Sequence, residues 1–116
     1  MRANRAAGQP TSPGRIVNVA ARPAVVPTGG LIAYSVAKAA VVALTQSLAA
    51  ETTADEILVN AVAPSIIDTP ANRKAMPDAD HTAWPSPAEI AETILYCASP
   101  RNRLTSGALI PAYGRA

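Results

Sequence analysis

Tyr34 and Lys38, in the run Tyr34-Ser35-Val36-Ala37-Lys38, are the pair whose types and spacing could do chemistry. On a helix, positions i and i+4 share a face, so a phenol and an ammonium at this spacing approach one site. A nearby cation favours the phenolate, lowering a phenol pKa that starts at about 10. Tyr34 then becomes a general acid/base usable near neutral pH. The same letters also spell Ser35-x-x-Lys38, the nucleophile pair of β-lactamases and penicillin-binding proteins. That chemistry also needs S-D-N and K-T-G elements, and neither occurs here. Ser35 would moreover face away from Tyr34.

The elements that must position the pair are legible from pattern. Arg15–Ala20 is a short β-branched run expected to form a buried strand. Pro and Gly interrupt 22–30, which reads as loop. A helix is expected over 33–51, with Ala37, Ala40, Val41, Leu44 and Leu48 as its apolar face. A second strand is expected over 56–62, ended by Pro64. Asp68-Thr69-Pro70 signals a short helix, with Asp68 read as its cap. Ser86-Pro87-Ala88-Glu89 is a capping box opening a helix that runs to Ala98, before Pro100. Gly107–Pro111 is the third strand, with Pro111 suited to an end or edge. Helices between short apolar strands predict a parallel α/β sheet joined by right-handed crossovers. Tyr34 thus opens the first helix after a buried strand, where open α/β sheets gather their functional groups.

Composition bounds the rest. The 116 residues include 26 Ala against 7 Leu, 8 Ile, 9 Val and no Phe, so bulky packing is thin and helices must approach the sheet closely. Net charge is +2, with Arg scattered rather than striped, so nucleic acid is not an expected partner. Cys97 is the only cysteine and His81 the only histidine, which excludes an internal disulfide and the cysteine-rich metal sites. No run of 18 uninterrupted apolar residues and no secretory h-region is present, so a cytoplasmic protein without a membrane span is expected. Asn18 and Asn60 are expected to satisfy backbone groups at strand ends. His81 reads as a loop residue, Cys97 as a small core residue, and Trp84 as packing or, by the family resemblance given below, a cover over the site.

Four motifs in order carry a resemblance: Gly14-Arg15-Ile16-Val17-Asn18-Val19, Tyr34-x-x-x-Lys38, Val59-Asn60-Ala61-Val62-Ala63-Pro64, and Asp68-Thr69-Pro70. Together with Thr105-Ser106-Gly107-Ala108-Leu109-Ile110, they resemble the second half of a short-chain dehydrogenase/reductase. Ile67 through Asp80, Trp84, and Arg101 through Gly107 are similar to its dihydropteridine reductase branch. The resemblance implies a partial Rossmann-like fold: residues 1–14 a loop or helix remnant, 15–112 the C-terminal half of the domain, 113–116 a tail. It also implies NAD or NADP as cofactor, a pterin-like or carbonyl small-molecule substrate, and a homo-oligomer built partly on the helix of Tyr34.

By the same resemblance Tyr34 exchanges the substrate proton and Lys38 assists it while contacting the nicotinamide ribose. Pro64 and Ser65 line the cofactor, and Thr69, five residues after Pro64, contacts the carboxamide. No metal is implied. Two departures stand out. The family's serine, thirteen residues before the tyrosine, is Ala21 here, as it is unfilled in the dihydropteridine reductase branch. The Gly-rich cofactor turn and the other N-terminal motifs do not occur in the sequence. The resemblance therefore implies a chain beginning inside the fold at an internal methionine, with cofactor binding incomplete without the other half. The alternative it leaves is a catalytically inactive folding or oligomerisation module.

Overall fold

The computed structural model describes residues 13–116, so most of the predicted N-terminal remnant lies outside the described residues. Three parallel strands form one sheet in the order β1 (Gly14–Val19), β2 (Ile57–Pro64), β3 (Leu109–Ala112). Ile16 lies opposite Val59, Val17 opposite Asn60, and Val62 opposite Ile110. Strand alternation sends Ile57, Val59, Ala61 and Ala63 to one face and Val62 to the other. Both faces are covered, as parallel sheets require. The helix α1 (Ile32–Glu51) covers the first face, and α3 (Pro87–Ala98) covers the second. Between them runs the short helix α2 (Pro70–Ala75).

The core is built on small residues. Ala20, Ala61 and Ala63 are buried against Val41 and Val42 of α1. Ala49 meets Ile57 and Val59, while Val62 meets Ile90 and Cys97. Alanine lets the helix backbone come close, and the fully buried Val59 and Val62 each contribute about 1.5–3 kcal/mol of hydrophobic stabilisation. Cys97 is thus the core residue expected of it, and burial pushes its thiol pKa up.

The inward stripe of α1 differs from the sequence expectation. Val41 and Leu48 pack on the sheet, but Ala37, Ala40 and Leu44 are exposed. The buried stripe instead runs through Lys38, Val41, Val42, Thr45, Leu48 and Ala49, two of whose members are polar. Thr45 is buried because its hydroxyl donates to Val41 O at 2.7 Å and accepts from Asn18 Nδ2 at 2.9 Å. Asn18 therefore satisfies a side chain across the helix–sheet junction, not a backbone group at a strand end. By length and composition alone α1 is apolar enough to cross a membrane. In this fold its polar stripe is hydrogen-bonded to the sheet.

The crossovers also depart from expectation. Both steps move one strand in the same direction, yet α1 and α3 lie on opposite faces of the sheet. The two connections consequently have opposite hands, and one breaks the right-handed rule. The connection over 65–108 holds two helices and long loops, so it is not the tight single-helix return from which that rule arises.

Asn60 sits in the middle of β2, and its amide bridges the chain that leads into β3. Its Nδ2 donates to Thr105 O at 2.8 Å, and its Oδ1 accepts from Ala108 N at 3.1 Å. Pro111 lies in β3 at the sheet edge and is exposed, the position its missing N–H permits. Residues 113–116 are docked rather than a free tail. Tyr113 packs on the Ala20–Ala61–Ala63 cluster, and Arg115 N donates to Ala83 O at 3.1 Å.

Candidate active site

The C-terminal ends of β1 and β2 and the start of α1 enclose a cleft of about 550 Å³. Gly30, with φ of +82°, makes the turn that delivers the chain to Leu31 and the first turn of α1. Tyr34 lies in that turn, on the cleft wall and 46% exposed. Ala21 faces the same space from the segment after β1. Pro64 and Ser65 form the floor where β2 ends.

Tyr34 and Lys38 come together as their spacing predicted. The Lys38 ammonium lies 5.9 Å from the centre of the Tyr34 ring and donates to Val19 O at 3.0 Å. Lys38 is half-buried behind Tyr34 rather than part of the cleft lining. Ser35 Oγ, by contrast, is buried with no hydrogen-bond partner among the described residues, and Ser35 is not part of the cleft lining. The Ser35–Lys38 nucleophile reading gains nothing from this placement.

Ser65 stands where the resemblance has glycine, and its hydroxyl is occupied: it donates to Tyr113 O at 2.8 Å, tying the end of β2 to the residue after β3. Thr69 corrects one expectation. Its Oγ1 accepts from Asn72 N at 3.2 Å, so Thr69 caps α2 and Asp68 does not. Asp68 instead takes Arg73 in a bidentate pair at 2.5 and 2.8 Å. That hydrogen-bonded guanidinium holds the Asp68 carboxyl below its usual range. Thr69 also lies outside the cleft lining, while its neighbours Ile67 and Asn72 are part of it.

Trp84 is not a cover. It is 8% exposed, its ring tilts against His81 at 4.6 Å, and it does not line the cleft. His81 Nε2 lies 2.8 Å from Met76 O, and since a carbonyl only accepts, that nitrogen carries the hydrogen. Among the described residues no group of three or more His, Cys, Asp or Glu could hold a metal.

A family model described as enoyl-(acyl carrier protein) reductase matches residues 1–114, nearly the whole chain. The chain belongs to the short-chain dehydrogenase/reductase family. It is 43% identical over 88 residues to galactitol 2-dehydrogenase of Rhizobium johnstonii, covering 67% of this chain and 34% of that protein. A solved short-chain dehydrogenase/reductase family protein superposes with a TM-score of 0.78 at 33% identity, over 85% of this chain and 43% of its own. A 4-hydroxyisoleucine dehydrogenase complexed with NADH gives 0.75 at 28% identity, over 88% of this chain and 45% of its own. The chain thus spans less than half the length of these relatives. Short-chain dehydrogenase/reductases are oxidoreductases that use a nicotinamide cofactor, and the β1–β3 sheet with its helices is the shared Rossmann-like portion.

The cleft's donor set fits the nicotinamide end of such a cofactor. Among the described residues the amides of Ile66 and Ile67 donate to no partner, while Ile67 O already accepts from Asn72 Nδ2 at 2.7 Å. Ile66 and Ile67 line the cleft, so two unengaged amides there can bind a carboxamide oxygen. For the phosphates this short-chain dehydrogenase/reductase sequence carries no Gly-rich turn.

The residues that sequence reasoning missed are Ile66, Ile67 and Asn72 around the β2 end, and Arg22 and Met76 on the wall. Only Arg22 carried a signal that could have marked it: a lone cation adjoining Ala21 in an otherwise apolar segment.

Proposed function

We propose that the protein carrying this chain is an NAD- or NADP-dependent reductase acting on a small molecule of the dihydropteridine type. The observation that carries this is the juxtaposition of Tyr34 and Ala21 on one cleft, with the Lys38 ammonium behind the Tyr34 ring. When bound, the reduced nicotinamide supplies a hydride. Tyr34 delivers the balancing proton from its hydroxyl and recovers one from solvent, which reaches it because the residue is half-exposed. Lys38 holds its charge next to the phenol through the Val19 carbonyl. The Ile66 and Ile67 amides, Pro64 and Ser65 orient the nicotinamide end, and Thr69 sets the start of the helix beside it.

Ala21 favours a pterin-like ring over a simple ketone. A ketone reductase gains from a hydroxyl that polarises the carbonyl oxygen, and Ala21 offers none. A quinonoid ring accepts hydride and proton without that grip.

The outward face of α1 supports a homo-oligomer. Ile32, Val36 and Leu44 are 79%, 65% and 57% exposed on one helix, a contiguous apolar surface of the kind that marks an interface.

Following nicotinamide absorbance with a quinonoid dihydropterin and with a simple ketone, each with NADH and NADPH, tests this reading. Turnover of the pterin well above the ketone supports it. Turnover of the ketone alone, or of neither, overturns it.

A further inference from the structure

Arg22 opens the 3-10 turn Arg22–Ala24, directly after Ala21, and lines the same cleft as Tyr34. Its guanidinium lies over the Tyr113 ring, with Cζ 5.2 Å from the ring centre. Stacking of this kind occupies the flat face of the guanidinium and leaves its edge, with the N–H donors, directed elsewhere. Among the described residues that edge is unfilled: the Arg22 side chain makes no ion pair and donates no hydrogen bond. Three other arginines of the fold are engaged. Arg15 donates to the carbonyls of Pro13 and Asn102, Arg115 to Thr82 O, and Arg73 to Asp68.

Much of the cleft around Arg22 is apolar. Val26, Leu31, Ile67 and Met76 share the cleft with it. Among the described residues no Asp or Glu side chain lines the cleft with Arg22. A carboxylate entering the cleft would supply a counter-charge and match the guanidinium fork bidentately.

We propose that Arg22 is a specificity-determining residue that receives a carboxylate carried on the pterin-like substrate. The proposal rests on the reading of Tyr34 as the reacting end of the cleft. Arg22 holds the carboxylate, and the apolar side chains of Val26, Leu31 and Met76 hold the body beside it.

Calorimetric titration of the full-length protein with benzoate and with benzamide, equal in shape and different in charge, tests this. Wild type is expected to bind benzoate roughly 10- to 100-fold tighter than benzamide. Arg22→Leu should remove the preference while benzamide binding stays unchanged, and Arg22→Lys should keep part of it, because a point charge lacks the fork. Equal binding of both probes by wild type, or a preference that survives in Arg22→Leu, overturns the proposal. Tyr34→Phe separates the two readings. It should abolish turnover and leave the benzoate preference intact. A protein that shows the preference but reduces no substrate contradicts the proposed reductase alone.

Discussion

The Lys38 ammonium donates to the Val19 carbonyl at 3.0 Å, tying the second turn of α1 to the last residue of β1. The bond fixes the height of Tyr34 above the sheet and holds a positive charge behind its ring. Lys38→Met removes both. We expect turnover to fall by roughly 10²-fold or more, with a loss of only about 1 kcal/mol in stability, because Val19 is exposed and its carbonyl can turn to water. Steady-state kinetics beside urea denaturation separates the two effects. A stability loss large enough to account for the lost activity would contradict a chemical role.

Asn102 is fully buried and closes the turn that follows α3. Its Oδ1 accepts from Thr105 N at 2.9 Å, and its Nδ2 donates to Thr105 O and Cys97 O at 3.0 and 3.3 Å. Arg15 in turn donates twice to its carbonyl, at 2.9 and 3.1 Å. Asn102→Ala leaves the Thr105 amide and the Cys97 carbonyl without these partners, while Thr105 O keeps Asn60, at a cost of roughly 2–3 kcal/mol. Chemical denaturation reads this directly, and a loss under 0.5 kcal/mol, roughly the size of an ordinary surface change, would show the network dispensable.

The N-terminus of α3 predicts a pH dependence. Ser86 Oγ accepts from Glu89 N at 3.2 Å, and a Glu89 carboxylate oxygen accepts from Ser86 N at 2.7 Å. The Ser86 backbone amide, then its hydroxyl, lowers the Glu89 pKa. A group depressed on folding contributes stability above its unfolded pKa and loses that contribution as pH falls through the folded value. Asp68, paired with Arg73, carries the same sign. Thermal melting from pH 7 down to pH 3 should therefore show a decline that Glu89→Gln and Asp68→Asn each flatten. Ser86→Ala should cost about 0.5–2 kcal/mol at neutral pH.

Gly114 sits at φ of +64°, and a Cβ built there would meet Ala83 O at 3.0 Å and Pro85 at 3.2 Å. Gly114→Ala combines left-handed strain of roughly 1–2 kcal/mol with that backbone clash. Because Ala116 reaches the cleft wall, the shift should also disturb ligand binding there. A melting temperature unchanged from wild type would argue that the closing turn is not held as described.

The parts written in local pattern were readable from residues alone. The capping box at Ser86–Glu89 folds as its letters require, and Tyr34 and Lys38 meet because helical spacing leaves no other outcome. The stripe of α1 was misread because periodicity counts only apolar residues. Lys38 and Thr45 turn inward to satisfy Val19 O and Asn18, a demand set by the strand and invisible in the helix. Asp68 and Thr69 are equally good caps by type. Pro70 at the start of the helix makes Thr69 the cap, and Asp68 pairs with Arg73 instead. The cleft wall at Arg22, Ile66, Ile67 and Met76 comes from segments brought together only by the tertiary fold, and no spacing rule links them.

The central claim is that Tyr34 moves the proton in this cleft. The most direct measurement is the turnover of Tyr34→Phe against wild type under saturating reduced nicotinamide, with melting curves recorded for both. The account predicts a fall in kcat of roughly 10²- to 10⁴-fold at unchanged melting temperature. A Tyr34→Phe protein that turns over at the wild-type rate would contradict it.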